Sequence, residues 1–173
     1  DHKVIAKQFL WYGIFFLGVG GIMALLIRWT LAFPGEPFPV LGPLMFPDTA
    51  GVVPPDVYAM LFTMHGTIMI FFAITPILIG AFGNYCIPLM IGARDMAFPK
   101  LNALAFWITI PAGALLLGSF FFGGAQSGWT SYPPLSLITA NTAQSMWILA
   151  IVCAGTSSIL GAVNFIITIW KMR

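Results

Sequence analysis

His65 is the residue whose chemistry stands out first, because it sits in a Met-His-Gly-Thr run inside a long uncharged segment. A neutral imidazole nitrogen binds a haem iron axially, and Gly66 beside it lets a flat macrocycle or a neighbouring helix approach the backbone. The commoner arrangement is a His hydrogen-bonded to a helix carbonyl or a Thr, and composition alone favours it. Arg28 closes the preceding apolar run and is expected at a depth comparable with His65, where a guanidinium reaches a haem edge or propionate; the plainer reading is an interfacial Arg snorkelling to headgroups. A second polar set comprises Asn84, Asp95, Asn102, Ser157, Ser158 and Asn164. Ser157 and Asn164, seven residues apart, share a helix face, with Ser157 roughly 10 Å deeper. These groups are suited to holding a water file that rises from Asp95, a carboxylate able to collect protons from solution. Each also has a structural reading: Ser at tight helix contacts, Asn at helix ends, Asp95 as a cap or a partner of Arg94 or Lys100.

The elements that carry these residues follow from composition. Of 173 residues, 60% are hydrophobic and 7% charged, and the mean hydropathy is +0.97, which excludes a water-soluble globular domain. Seven Lys/Arg against five Asp/Glu are too few to track phosphates, so nucleic acid is excluded as a partner and the lipid bilayer is the expected surroundings. Cys86 and Cys153 lie in separate apolar segments without ligand spacing and read as inert buried thiols.

About 20 apolar residues cross a bilayer. The charged residues, with the Gly and Pro between 123 and 134, divide the chain into one membrane segment, 1–173, with spans near 8–27, 57–88, 101–122 and 144–170. The fold class expected is all-α, with four transmembrane helices. Pro76 deprives the Phe72 carbonyl of its donor, which predicts a kink in the second span. Lys3, Lys7, Arg94, Lys100, Lys171 and Arg173 fall on one side of this arrangement, which predicts that both termini face the positive-inside compartment. Seven of the 13 prolines fall between Pro34 and Pro55, so that loop is expected to be irregular and not helical. The loop with Trp129, Tyr132, Pro133 and Pro134 reads as an interfacial cap. A cleaved signal peptide fits the first run poorly, since its apolar stretch exceeds an h-region and no A-x-A site follows.

Five stretches carry a resemblance across nearly the whole chain: Asp-His-Lys at 1–3, His-Gly-Thr at 65–67, Phe-Gly-Asn-Tyr-Cys-Ile-Pro-Leu-Met-Ile-Gly-Ala-Arg-Asp-Met-Ala-Phe-Pro-Lys-Leu-Asn at 82–102, Gly-Trp-Thr-Ser-Tyr-Pro-Pro-Leu-Ser at 128–136 and Ser-Ser-Ile-Leu-Gly-Ala-Val-Asn-Phe at 157–165. With them the chain resembles the N-terminal third of subunit one of the haem-copper oxygen reductases, in their A-type cytochrome c oxidase branch.

The resemblance implies a twelve-helix fold of which four helices are present here. It implies that His65 is one axial ligand of the low-spin haem iron (haem A), that Arg28 contacts that haem's formyl group, and that the Trp129 indole bonds a propionate of the oxygen-reducing haem. It makes Asp95 the mouth of the D proton pathway, with Asn84, Asn102, Ser157, Ser158 and Asn164 along it. The activity implied is electron transfer from cytochrome c to O2 coupled to proton pumping. Implied partners are the rest of subunit one and subunits two and three, in a bacterial cell membrane or, alternatively, a mitochondrial inner membrane. The copper ligands and those of the second haem fall outside the segment, so this polypeptide alone is expected not to reduce oxygen; it reads as a piece of a longer subunit or one part of a split one.

Departures from the family pattern are Phe9, where the family usually has a Tyr, Thr30, where an outer cation site usually has a Glu, and Arg94, where Pro is frequent. Val57 and Met60 replace the His and Gln of the quinol-oxidising branch, which favours cytochrome c as donor. Rival readings from other classes are a non-catalytic membrane scaffold and a transporter half-bundle.

Overall fold

The computed structural model describes residues 1–173 and is helical in all of its principal elements. Four helices are long and apolar enough to cross a membrane: α1 (His2–Ala32), α2 (Pro55–Ile91), α3 (Pro99–Phe122) and α4 (Thr142–Met172). Each exceeds the run expected from its uncharged stretch. Charge marks where hydrocarbon ends, whereas the helical backbone continues into the interface until a cap or a breaker stops it. Asn141 starts α4, its Oδ1 accepting from the Gln144 N–H at 2.7 Å. Gly92, at φ +72°, ends α2 in the left-handed conformation that a residue with a Cβ adopts only at a cost.

The helices form two antiparallel pairs, α1 along α2 and α3 along α4, joined by narrower contacts of α1 with α3 and of α2 with α4. Small residues set the α1–α2 separation. A Cβ on Gly20 would lie 2.6 Å from Met69 Sδ, and one on Gly80 would lie 2.6 Å from the Phe9 ring. The main buried cluster, with Phe16, Met64, Ile68, Phe72, Leu116 and Trp147 in it, draws on all four helices. Outside it the helices present Trp11, Phe15, Leu25, Trp107, Phe121 and Ile159, all exposed, as a bundle in lipid or among further helices would.

Around Pro76, residues Ile68–Ile74 and Pro76–Gly83 take the wider π register, and the Thr75 N–H donates to Ile70 O. Widening the turn is one way to relieve the clash and the missing donor that proline brings. The loop between α1 and α2 is not free of helix, because Gly42–Met45 and Pro47–Thr49 form short turns. Pro43 and Pro47 sit in the first positions of those turns, where a missing N–H costs no bond.

Candidate functional site

Two groups of polar residues occupy different levels of the bundle. His65 lies on α2 opposite α1, its Nδ1 2.9 Å from the Gly20 carbonyl oxygen. Nδ1 must therefore carry the proton and donate, which leaves Nε2 as the lone-pair nitrogen. A hydrogen bond of this kind satisfies a plain helix-packing histidine, and it is also how a metal-ligating histidine has its tautomer and ring orientation fixed. The backbone beside it is open at Gly66, whereas Gly20 is covered by Met69. A Cβ on Gly18 or Gly21 would meet nothing within 4 Å, and one on Gly66 would meet only Trp129 Cδ1, at 4.0 Å. The donor set and the uncovered backbone fit a flat macrocycle held through Nε2.

Arg28 is exposed and lies eight residues beyond Gly20 on α1, about 12 Å along the axis at a rise of ~1.5 Å per residue. The expected common depth of Arg28 and His65 is corrected accordingly: His65 is level with Gly20, because α2 begins only at Pro55 and the helices register through their glycines. Arg28 lines a shallow hollow with Leu25, Trp29, Phe33, Phe38 and Pro39. Trp129 stands beside Gly66 and 6.1 Å from Phe71 between ring centres. Its loop is tied to α2, two residues before His65, by the Gly128 N–H donating to Thr63 Oγ1 at 3.0 Å. Three more bonds steady that end: Trp147 Nε1 donates to Thr67 Oγ1, and Gln144 bridges Ser127 and Ser131.

Toward the opposite end lies a cavity of about 50 Å3 between the four helices, lined by Asn84, Asn102, Ser157 and Ser158 among others. It has room for a few ordered waters at roughly 10–15 Å3 each. Asn84 Nδ2 donates to Gly80 O at 2.7 Å, while its buried Oδ1 has no partner in the chain. A buried amide oxygen in that condition calls for a water. Ser157 is buried and donates to Ala105 O at 2.6 Å; Ser158, next to it, is exposed and borders the opening.

The remaining two residues of the expected set lie apart from this cavity. Asn164 clamps the chain ahead of α3: its Oδ1 accepts from the Phe98 N–H at 2.9 Å and its Nδ2 donates to Phe98 O at 3.3 Å. Asp95 is in the turn between α2 and α3, accepting from the Met96 N–H at 2.8 Å and the His2 N–H at 3.0 Å. Partial burial pushes its carboxyl up, while the Met96 N–H and the His2 N–H and ring favour the charged form and hold it below its ordinary 3.8. Its observed partners are therefore neither Arg94 nor Lys100.

Sequence reading did not single out Tyr12 and Thr109, both of which line the cavity. Thr109 follows Asn102 by seven residues, a spacing that puts them on one face of α3. Tyr12 donates to the Thr109 carbonyl at 2.8 Å, and no spacing within α1 announces a bond to a helix two elements away.

A family model described as Cytochrome C and Quinol oxidase polypeptide I matches residues 4–173. Cytochrome c oxidase subunit 1 of Thermostichus vulcanus is 60% identical over 173 residues, 100% of this chain and 29% of the relative. The protein of the same name from Synechocystis sp. is 51% identical, again over 100% of this chain and 29% of the relative. That of Bacillus sp. (strain PS3) is 45% identical over 175 residues, 26% of its length. The chain thus spans less than a third of the length of these relatives.

Proposed function

The chain belongs to the cytochrome c and quinol oxidase polypeptide I family, and on that premise we propose that it forms the low-spin haem side and the proton-uptake side of a terminal respiratory oxidase. The whole enzyme takes electrons from cytochrome c and reduces O2 with four electrons and four protons to two waters, pumping further protons across the membrane. The observation that carries the reading is the His65 ring, whose Nδ1 is bound to Gly20 O while Nε2 keeps its lone pair. His65 would hold the haem iron through that nitrogen, with Arg28 and Trp129 reaching the periphery of the two haems. When bound, the low-spin haem, taken as haem A, supplies one-electron transfer within the hydrocarbon; the second haem and copper take their ligands from outside these residues.

At the other end Asp95 would collect protons. Its lowered pKa keeps it a carboxylate at neutral pH, and a charged group at the surface attracts protons from bulk solution. Asn84, Asn102, Ser157 and Ser158 would keep water in place above it, and Asn164 would hold the turn that presents it. Arrival of a proton beside an added electron keeps the low-dielectric interior near neutrality, which couples the two flows. The polypeptide is an integral membrane protein. We place it in a bacterial cell membrane, both termini on the positive-inside face, assembled with the rest of subunit one and with subunits two and three.

In the assembled oxidase, His65→Ala is expected to abolish the low-spin haem absorption band. A band unchanged in position and intensity overturns axial ligation by this residue.

A further inference from the structure

Three hydroxyl groups around the cavity direct their protons into its walls. Tyr12 donates to Thr109 O, Thr109 Oγ1 to Phe106 O at 2.6 Å, and Ser157 to Ala105 O, while the Asn84 amide spends an N–H on Gly80 O. What these groups turn toward the interior is lone pairs, and the unpartnered Asn84 Oδ1 adds another. These oxygens accept hydrogen bonds from water. The groups are also spread along the bundle: Asn102 and Thr109 are seven residues apart on α3, about 10 Å by helical rise, with the Ala105 carbonyl between them. Tyr12 therefore occupies the end of the cavity farthest from Asp95.

We propose that the Tyr12 hydroxyl is a positioning residue for proton uptake: it anchors the last water of the file by accepting a hydrogen from it. This rests on the reading of the cavity as a proton path. With Tyr12's own proton committed to Thr109 O, the oxygen acts toward the cavity only as an acceptor. The water bound there turns a hydrogen toward Tyr12 and its oxygen toward the Asp95 side, ready to accept the incoming proton. The Phe9 ring, one turn earlier on the same helix and also lining the cavity, has no atom that can do this.

The test uses Tyr12→Phe in the assembled oxidase, which keeps the ring against Phe16 and Phe106 and removes one oxygen. The haem bands should be unchanged and proton uptake in a single turnover should slow by about fivefold, the factor that one hydrogen bond of ordinary net strength makes in a rate. The double variant Phe9→Tyr/Tyr12→Phe, which returns a phenol to the lining, should recover part of that loss. Unaltered uptake in Tyr12→Phe overturns the proposal. So does slowing that comes with shifted haem bands or that the double variant leaves unrelieved, because either result assigns Tyr12 to packing. Asp95→Asn in parallel separates the two levels: if it too leaves uptake unaltered, the proton path itself fails, and if it slows uptake while Tyr12→Phe does not, only the role of Tyr12 fails.

Discussion

At the residue scale, Asp95 is the most demanding case, because one carboxylate is asked to be both a structural acceptor and a proton collector. As a collector, its replacement by Asn should slow turnover and proton uptake together, measured in the assembled oxidase; uptake at the wild-type rate would contradict the role. As an acceptor it has a pH signature. Its folded pKa lies below 3.8, so the stabilisation it contributes is complete above that value and is lost as pH falls through the lower, folded value. Thermal unfolding of the wild type should therefore lose stability below about pH 3.8, and Asp95→Asn should flatten that part of the acid limb. His65, Arg28 and Asp95 were legible as candidates because a titratable side chain in or beside an apolar run needs a reason to be there. Their partners were not legible. Gly20 O and the Met96 and His2 N–H groups are backbone atoms, which every residue type offers alike.

Among the elements, four helices could be read from uncharged runs, while their lateral order could not. Periodicity says that Ser157 and Asn164 share a face of α4, and the structure shows that face turned to α3, at Ala105 and Phe98. Asn164 and Thr168, one turn apart, take the N–H groups of Phe98 and Ala97, so α4 fixes the segment that leads into α3. Asn164→Ala should leave the Phe98 N–H short of its acceptor and lower thermal stability by about 1–3 kcal/mol. The wide register of α2 was not legible either, since Pro76 signals that a bond is missing and says nothing about how the chain relaxes. Between α1 and α2 the glycines are the controlling feature. Gly80→Ala drives a methyl into the Phe9 ring and should destabilise the bundle by about 1–3 kcal/mol, read as a lowered unfolding temperature.

For the whole molecule, the proposed orientation rests on the charge distribution and the proposed mechanism on the vertical separation of the sites. A membrane-impermeant thiol reagent added outside intact cells should label Glu36→Cys and spare Lys100→Cys, and the reverse pattern would invert the assigned topology. His65 lies level with Gly20, eight residues and about 12 Å beyond Tyr12 along α1. The proposed electron site and proton path would thus be adjacent layers of one bundle, close enough for the charge of one to be felt at the other in a medium of low dielectric. The exposed apolar faces of all four helices leave ample surface for lipid and for the remainder of a subunit more than three times this length. All of this depends on what His65 Nε2 binds. An experimental density map of the assembled oxidase decides it most directly: the account predicts a porphyrin whose iron is bonded to that nitrogen, and a map in which Nε2 meets only protein or lipid would contradict it.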